Sequence, residues 1–215
     1  MKLRIGSASL ELLADHGVLL GDGTLVVSDL HLGKATAFQA KGLAVPEGDS
    51  EADLTRLLNL CHETQAKRLI VNGDLFHSPA GIPPEMEKLL HRWMETLALP
   101  IELVTGNHED KFKMLPDGLS PAELIDRAGF HLVHDPKHAR AAKPTICGHW
   151  HPVAKIADGK RTSLRLPCFL LRGEMLVLPS YGKFTGGRIM EKQSGDRIFV
   201  APGSTVTEVP WELLR

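Results

Sequence analysis

The sequence predicts an α/β fold, because short aliphatic runs alternate with segments of helical periodicity. The clearest run, Leu69-Ile70-Val71, resembles a central strand of a sheet that is covered on both faces, and it ends shortly afterwards in Gly73-Asp74. The carboxyl end of such a strand opens onto a ligand crevice. With 215 residues, 43% of them hydrophobic, the chain is long enough to bury a core without disulfides or metals. We therefore expect one domain over residues 1–215.

The N-terminal part is predicted to form strands joined by Asp/Gly turns, as in hairpins or a meander, at Ser9–Ala14, Gly17–Leu20 and Thr24–Ser28. A helix is predicted over Lys34–Lys41. Ser50 with Asp53 three positions later resembles a capping box, so a second helix is predicted over Glu51–Gln65. It leads into the strand that ends before Asp74.

The rest of the chain continues with short elements. Helices are predicted over Pro84–Leu97 and Pro121–Ala128. Strands are predicted at Ile101–Thr105, Phe130–Val133, Pro144–Cys147, Arg165–Arg172, Glu174–Leu178 and Arg197–Ala201.

The overall composition has no nucleic-acid or membrane signature, with a net charge of −1. Charge is unevenly distributed, however: Lys137–Arg197 holds twelve Lys or Arg against four Asp or Glu, which is a local excess of +8. Such an excess indicates either an anionic partner or a solvated basic face, and both remain open. The three cysteines form no CxxC pair, and no stretch approaches ~20 apolar residues, so a reduced, cytoplasmic location without membrane insertion is expected.

Polar side chains that suit metal ions follow the ends of several predicted strands. They are Asp29, His31, Asp74, Asn107, His134, His149 and His151. His134 is chosen over His131 and His138 because it stands at the end of its strand. This set of oxygen and nitrogen donors is too rich for one catalytic zinc ion and suits two divalent ions that share a carboxylate, for which Asp74 is the natural bridge. Imidazole with carboxylate favours Mn, Fe or Zn over Mg or Ca.

Each motif is weak evidence by itself, because a lone Asp-x-His is commonly surface polarity and Gly-Asp commonly starts a turn. Their order is more specific. Between Val26 and Pro152 the chain has Asp-x-His, Gly-Asp, Gly-Asn-His-Glu, a strand-end His and Gly-His-x-His, each after an apolar run. In this order the five motifs resemble those of the calcineurin-like metallophosphoesterase superfamily. That resemblance implies a four-layer αββα sandwich with two central mixed sheets.

The resemblance also implies site roles. One metal ion would take Asp29, His31, Asp74 and His151, and the other Asp74, Asn107, His134 and His149. His108 would face the scissile phosphate, with Glu109 as the acidic residue that orients it. His77 stands where the superfamily often has an acidic residue, and its catalytic role is left open.

Further segments resemble the ligase-associated DNA damage response endonuclease branch, called PdeM. They are the stretches 29–34, 73–78, 148–152, 164–169 and 184–187. This branch implies a manganese-dependent phosphodiesterase that incises single-stranded DNA with a hydroxide bridging two metal ions. It also implies a function in DNA repair, encoded beside a ligase, a helicase and a nuclease.

Lys34, Tyr181, Lys183 and Arg188 are candidate DNA contacts, since single-strand binders combine cations with aromatic rings. We expect a monomer. A rival interpretation keeps the site but changes the substrate to nucleotides, cyclic nucleotides or pyrophosphate-linked small molecules. A third is a non-catalytic scaffold on the same fold, which the complete ligand set disfavours.

Overall fold

The computed structural model describes residues 1–46, 49–140, 143–158 and 162–215. Two mixed β-sheets pack face to face, and side chains from both sheets form one core cluster between them. Leu10, Val26 and Ile70 contribute from the first sheet, while Phe169 and Phe199 contribute from the second. The predicted α/β sandwich with two mixed sheets is confirmed.

The first sheet is built from strands in the order in which they occur along the chain. Its strands are β1 (Lys2–Ile5), β2 (Ala8–Leu12), β3 (Val18–Leu20), β4 (Thr24–Val27), β5 (Arg68–Asn72), β6 (Ile101–Val104) and β7 (Ser120–Ala122). The pairs from β1 to β4 are antiparallel, and those from β4 to β7 are parallel. The carboxyl ends of β4, β5 and β6 therefore meet at one edge of this sheet.

The second sheet continues the chain. Its strands are β8 (Ile125–Arg127), β9 (Phe130–Leu132), β10 (Thr145–Cys147), β11 (Pro152–Asp158), β12 (Thr162–Arg172), β13 (Met175–Val177), β14 (Arg188–Ile189), β15 (Arg197–Val200) and β16 (Thr207–Glu208). Strand β10 lies between β9 and β13 and is parallel to both. The ends of β9 and β10 consequently open in the same direction.

Helices cover the outer face of the first sheet. They are α1 (Lys34–Gln39), α2 (Asp49–Glu63) and α3 (Pro84–Leu97). Leu90, Trp93 and Leu97 recur at helical spacing and are the buried side of α3, where the Trp93 indole donates a 2.8 Å hydrogen bond to the Leu54 carbonyl of α2. Helix α2 begins at Asp49, before the predicted cap Ser50, whose hydroxyl instead accepts a hydrogen bond from the Gly33 amide.

The outer face of the second sheet is covered differently from the expected four-layer arrangement. In the described ranges no α-helix follows Leu97. Val209 and Leu214, from the C-terminal segment and its single-turn helix at Trp211–Leu213, pack on the buried residues of β10, β12 and β15 instead. The outer helical layer is thus found on one side of the sandwich.

The helix predicted over Pro121–Ala128 is wrong, because the segment forms the edge strands β7 and β8. Pro121 lies at the free edge of the first sheet, where its missing N–H costs no ladder hydrogen bond. Ala128 and Gly129 both have positive φ, 50° and 86°, and make the tight turn between β8 and β9. Pairing with two different sheets outweighs the helix propensity of this sequence.

None of the described helices is long and apolar enough to cross a membrane. Cys61, Cys147 and Cys168 are buried and free, and burial raises the pKa of each thiol to about 12. These thiols are inert packing groups at neutral pH.

Candidate metal centre

The ends of three parallel strands deliver the first part of the site. Asp29 and His31 follow β4, Asp74 follows β5, and Asn107 follows β6. Asp29 and Asp74 are 0% and 2% exposed, although both are carboxylates. Among the described residues their ion-pair partners are histidines, without any Lys or Arg. Buried carboxylates with such neighbours require a further positive charge.

The second sheet delivers the remaining predicted ligands. His134 follows β9 and is 4% exposed, and His149 and His151 follow β10. The two sheets are tied together here by hydrogen bonds. The Asn72 amide donates to the carbonyls of Val133 and Ile146, both at 3.2 Å.

The backbone at these strand ends adopts a conformation that is rare for residues with side chains. Positive φ angles, from 45° to 67°, occur at Asp29, His31, Asp74, His149 and His151. Left-handed conformations of this kind cost about 1–2 kcal/mol per residue and concentrate at functional sites. The sharp turns point the side chains from both sheets toward one another.

One group of potential ligands consists of Asp29, His31 and His151, whose ligand atoms all lie within 4.8 Å of one another. His151 Nε2 lies 2.9 Å from Asp29 Oδ1 and 3.4 Å from His31 Nε2. This trio coincides with three of the four residues predicted for the first ion.

The second group consists of Asp74, His134 and His149, again within 4.8 Å. His134 Nε2 lies 3.4 Å from Asp74 Oδ2, and His31 Nε2 from the first group lies 3.7 Å from the same oxygen. Asp74 Oδ2 therefore lies between the two groups, where a shared ligand is needed. Asn107 is exposed and lines a cavity of about 550 Å³ together with His134; its coordination of the second ion stays a prediction.

The histidine rings are held so that they present Nε2 to this centre. Nδ1 of His134 hydrogen-bonds to the Asn72 carbonyl at 2.8 Å, and Nδ1 of His151 to the Gly186 carbonyl at 3.1 Å. Backbone carbonyls accept, so each Nδ1 carries the proton and Nε2 is available as a ligand. His134 Nε2 is buried and has no partner in hydrogen-bonding geometry. This orphaned nitrogen beside two buried carboxylates fits a divalent ion that takes mixed N and O donors.

The pKa values agree with such a centre. Burial lowers the pKa of His31 to about 3, so its imidazole is neutral. Burial alone would also lower the pKa of His134, but the carboxylates of Asp74 and Asp29 raise it to about 9. Despite their burial, hydrogen bonds and nearby histidine charges hold the pKa of both carboxyls below the usual range. In the metal-free protein a proton on His134 supplies the positive charge that a metal ion would supply.

His108 lies beside the centre, and its ring is held by a backbone carbonyl and not by the predicted carboxylate of Glu109. Its Nε2 is 3.8 Å from Asp74 Oδ2, and its Nδ1 donates to the carbonyl of His77. Lys111 Nζ is 3.3 Å from the same ring. The expectation that Glu109 orients this ring is not met in these contacts.

Glu109 instead binds the backbone of the loops that follow β5 and β6. It is 5% exposed, and its carboxylate accepts hydrogen bonds from the amides of Gly106, Asp74 and Phe76 at 2.8, 2.9 and 3.2 Å. Burial and the nearby charge of Asp74 raise its pKa to about 7, against the opposing effect of these N–H donors. Glu109 is therefore a positioning residue for the Asp74 turn.

The predicted DNA contacts divide into surface cations and a buried aromatic ring. Lys183 and Arg188 are exposed and Lys34 is partly exposed. The backbone amides of Lys34 and Arg188 donate to the carbonyls of His31 and His151. The assignment of Tyr181 was wrong, because it is 1% exposed and its ring is covered by the Arg56 guanidinium, 4.0 Å from the ring centre. A ring enclosed in this way cannot stack on a base.

Sequence reasoning missed the residues that allow the loops to approach so closely. A Cβ at Gly73 would lie 2.1 Å from His134 Nδ1, one at Gly106 2.2 Å from Asp74 Oδ1, and one at Gly148 1.9 Å from Ser28 Oγ. Ser28 Oγ itself donates to Asp29 Oδ2 at 2.7 Å. These positions could have been identified from the sequence because a glycine directly precedes each of Asp74, Asn107 and His149.

The chain was compared with known proteins. The family model described as calcineurin-like phosphoesterase matches residues 24–170. No curated protein sequence matches. The crystal structure of Pseudomonas putida nuclease MPE is similar with 29% identity and a TM-score of 0.79, covering 94% of this chain and 96% of that one.

Two further structures are less similar. Yfce, a phosphoesterase from E. coli, has 16% identity and a TM-score of 0.44, covering 86% of this chain and 97% of its own. An archaeal phosphodiesterase has 15% identity and a TM-score of 0.38, covering 86% and 98%.

Proposed function

The chain belongs to the calcineurin-like phosphoesterase family and is a hydrolytic enzyme, and from this premise we propose that it cleaves phosphodiester bonds in single-stranded DNA at a centre of two divalent metal ions. The family membership predicted from the five motifs is confirmed. The observation that carries the DNA proposal is the likeness to nuclease MPE over 94% of the chain, which extends beyond the family match into the C-terminal part.

The metal centre in this proposal uses the two groups of ligands described above. Asp29, His31 and His151 with Asp74 would hold one ion, and Asp74, His134 and His149 with Asn107 the other. The donor set favours Mn²⁺, with Fe or Zn as alternatives. When bound, such ions provide an activated water and neutralise the charge of the phosphate.

Side chains around the centre can protonate the departing oxygen and stabilise the negative charge of the substrate phosphate. His108 is partly exposed, and the hydrogen bond from its Nδ1 to the His77 carbonyl directs Nε2 toward the centre. In the protonated ring, Nε2–H is placed to hydrogen-bond a phosphate oxygen or to protonate the departing oxygen. Lys111, 3.3 Å from this ring, adds positive charge on the open side.

The surface near the centre supports a nucleic-acid substrate. Lys183 and Arg188 are exposed within the segment that adjoins His151, whose carbonyl accepts from the Arg188 amide at 2.9 Å. Cations in this position suit the phosphates of a strand whose scissile bond lies at the metal centre. A function in DNA repair, beside the ligase, helicase and nuclease named above, is part of the same proposal.

The test is an activity panel of metals against substrates. Protein stripped of metal is assayed with Mn²⁺, Zn²⁺, Fe²⁺ and Mg²⁺ on a single-stranded oligonucleotide, its duplex, a cyclic nucleotide and a nucleoside diphosphate. We expect manganese-dependent incision of the single strand, lost in Asp74→Asn and retained in Asp117→Asn, a control at an exposed carboxylate.

Two results would contradict the proposal. Turnover of nucleotides without incision of the strand would assign the site to small phosphate esters. Full activity of Asp74→Asn would exclude the shared-carboxylate centre itself.

A further inference from the structure

A row of rings leads from the metal centre to the protein surface. His77 lies 5.0 Å from His108 between ring centres, and Phe38 of α1 lies 5.6 Å from His77. Phe184 continues the row at 6.1 Å from Phe38, with an angle of 71° between the two ring planes. Phe38 and Phe184 are both partly exposed. Their contact is T-shaped, in which the edge of one ring meets the face of the other.

The loop that carries Phe184 is anchored to the metal centre at both ends. The Gly182 amide donates to the Asp29 carbonyl at 3.1 Å, and the Gly186 carbonyl accepts from His151 Nδ1 at 3.1 Å. Both partners are predicted ligands of the first ion. The position of Phe184 is consequently set by the same residues that would hold the metal.

A cation lies beside the two rings. Lys34 Nζ is 5.9 Å from the centre of Phe38 and 5.9 Å from that of Phe184. In the described part of the chain no carboxylate lies within ion-pair distance of this ammonium group. Lys34, Phe38 and Phe184, which we name the aromatic platform, therefore combine a positive charge with two partly exposed phenyl rings.

We propose that the aromatic platform binds one nucleotide of the substrate next to the scissile phosphate, with its base against the phenyl rings and its phosphate at Lys34. This inference rests on the proposed single-strand nuclease function and names the subsite that recognises the strand. Stacking on aromatic side chains tolerates every base, because every base has a π-face, whereas a paired base is already stacked within its duplex. The aromatic platform accordingly binds single strands in preference to duplexes and does not discriminate among base sequences.

The test compares two single strands that have the same backbone, one with bases throughout and one with a central run of abasic tetrahydrofuran residues. Wild-type protein is expected to cleave the strand with bases with a KM lower by on the order of tenfold. Phe184→Ala and Phe38→Ala should raise KM for that strand to the value for the abasic one. Trp211→Ala removes an aromatic residue that is 40% exposed on the C-terminal segment, and should behave as wild type.

Phe184→Leu separates stacking from loop packing, because leucine keeps the apolar contact but has no aromatic face. Metal-free protein mixed with a strand that contains 2-aminopurine gives a second readout: the fluorescence of this base should rise when it leaves its neighbouring bases for the phenyl rings, in wild type and not in Phe184→Leu. Equal cleavage of both strands by wild type, or a fluorescence rise in Phe184→Leu equal to that of wild type, overturns the platform while strand cleavage stands. Absence of any strand cleavage by wild type overturns the proposed function and this inference together.

Discussion

Gly73 offers a sensitive test of how the metal centre is built, because two effects of substitution can be separated there. Gly73 has φ +86° immediately before Asp74, and a Cβ would lie 2.1 Å from His134 Nδ1 and 2.3 Å from its Cγ. Gly195 has φ +87° with no atom within 4 Å of its Cβ position. Alanine at either position incurs about 1–2 kcal/mol of backbone strain, and only Gly73→Ala adds a clash.

The clash displaces a predicted metal ligand. Real Cβ atoms practically never approach closer than 3.0 Å, so the His134 ring must move by about 0.9 Å. That shift breaks the 2.8 Å hydrogen bond from Nδ1 to the Asn72 carbonyl and exceeds the ~0.2 Å tolerance of metal–ligand distances. We expect Gly73→Ala to lose about 10- to 100-fold in affinity for one of two manganese ions.

Calorimetric titration of the stripped proteins with Mn²⁺ measures this loss, and urea unfolding measures the strain. Gly195→Ala should bind two ions as wild type does while losing about 1–2 kcal/mol of stability. If Gly73→Ala bound two ions with wild-type affinity, the assignment of His134 as a ligand would be refuted.

Three further outcomes are expected. In Glu109→Gln one acceptor oxygen remains for three backbone amides. The free energy of unfolding in urea should therefore fall by about 2–4 kcal/mol and Mn²⁺ should bind more weakly, whereas Glu95→Gln at an exposed position should change neither. Unchanged metal affinity in Glu109→Gln would exclude its positioning function. Because the pKa of His134 is raised to about 9 in the metal-free protein, its stabilising charge is fully present below about pH 6.5 and is lost as pH rises through 9; thermal melts should show this decline without metal and not with saturating Mn²⁺. His108→Ala should slow cleavage of alkyl phosphodiesters far more than of nitrophenyl esters, and equal losses would remove its function as an acid.

The strand ends and the ligand pattern were predictable because both depend on local sequence. An apolar run followed by a glycine and a polar residue predicts a buried strand that opens into a loop, as at Val71 to Asp74. The order of the motifs then identified a family whose model matches residues 24–170. The order of the motifs, through the resemblance to this family, thus predicted which side chains converge.

Features that depend on packing between distant segments were not predictable in the same way. Pro121–Ala128 has good helix formers, yet its hydrogen bonds go to two different sheets. Tyr181 looked like a candidate for stacking, but Arg56 from α2 covers it. Glu109 follows His108 directly, and only the folded backbone shows that its carboxylate faces the amides of the Asp74 loop.

Because the ligands come from two sheets, the centre is complete only after the second sheet has been synthesised. The first sheet is complete at Ala122 and carries both carboxylates, whereas every ligand from His134 onward belongs to the second sheet. On a nascent chain that ends before β9, Asp29 lacks the His149 amide that contacts its carboxylate at 3.1 Å. If the centre binds metal as proposed, tight binding would require the second sheet to be synthesised and packed against the first. A bound pair of ions would connect the two sheets and would be present only in a chain in which both sheets have folded.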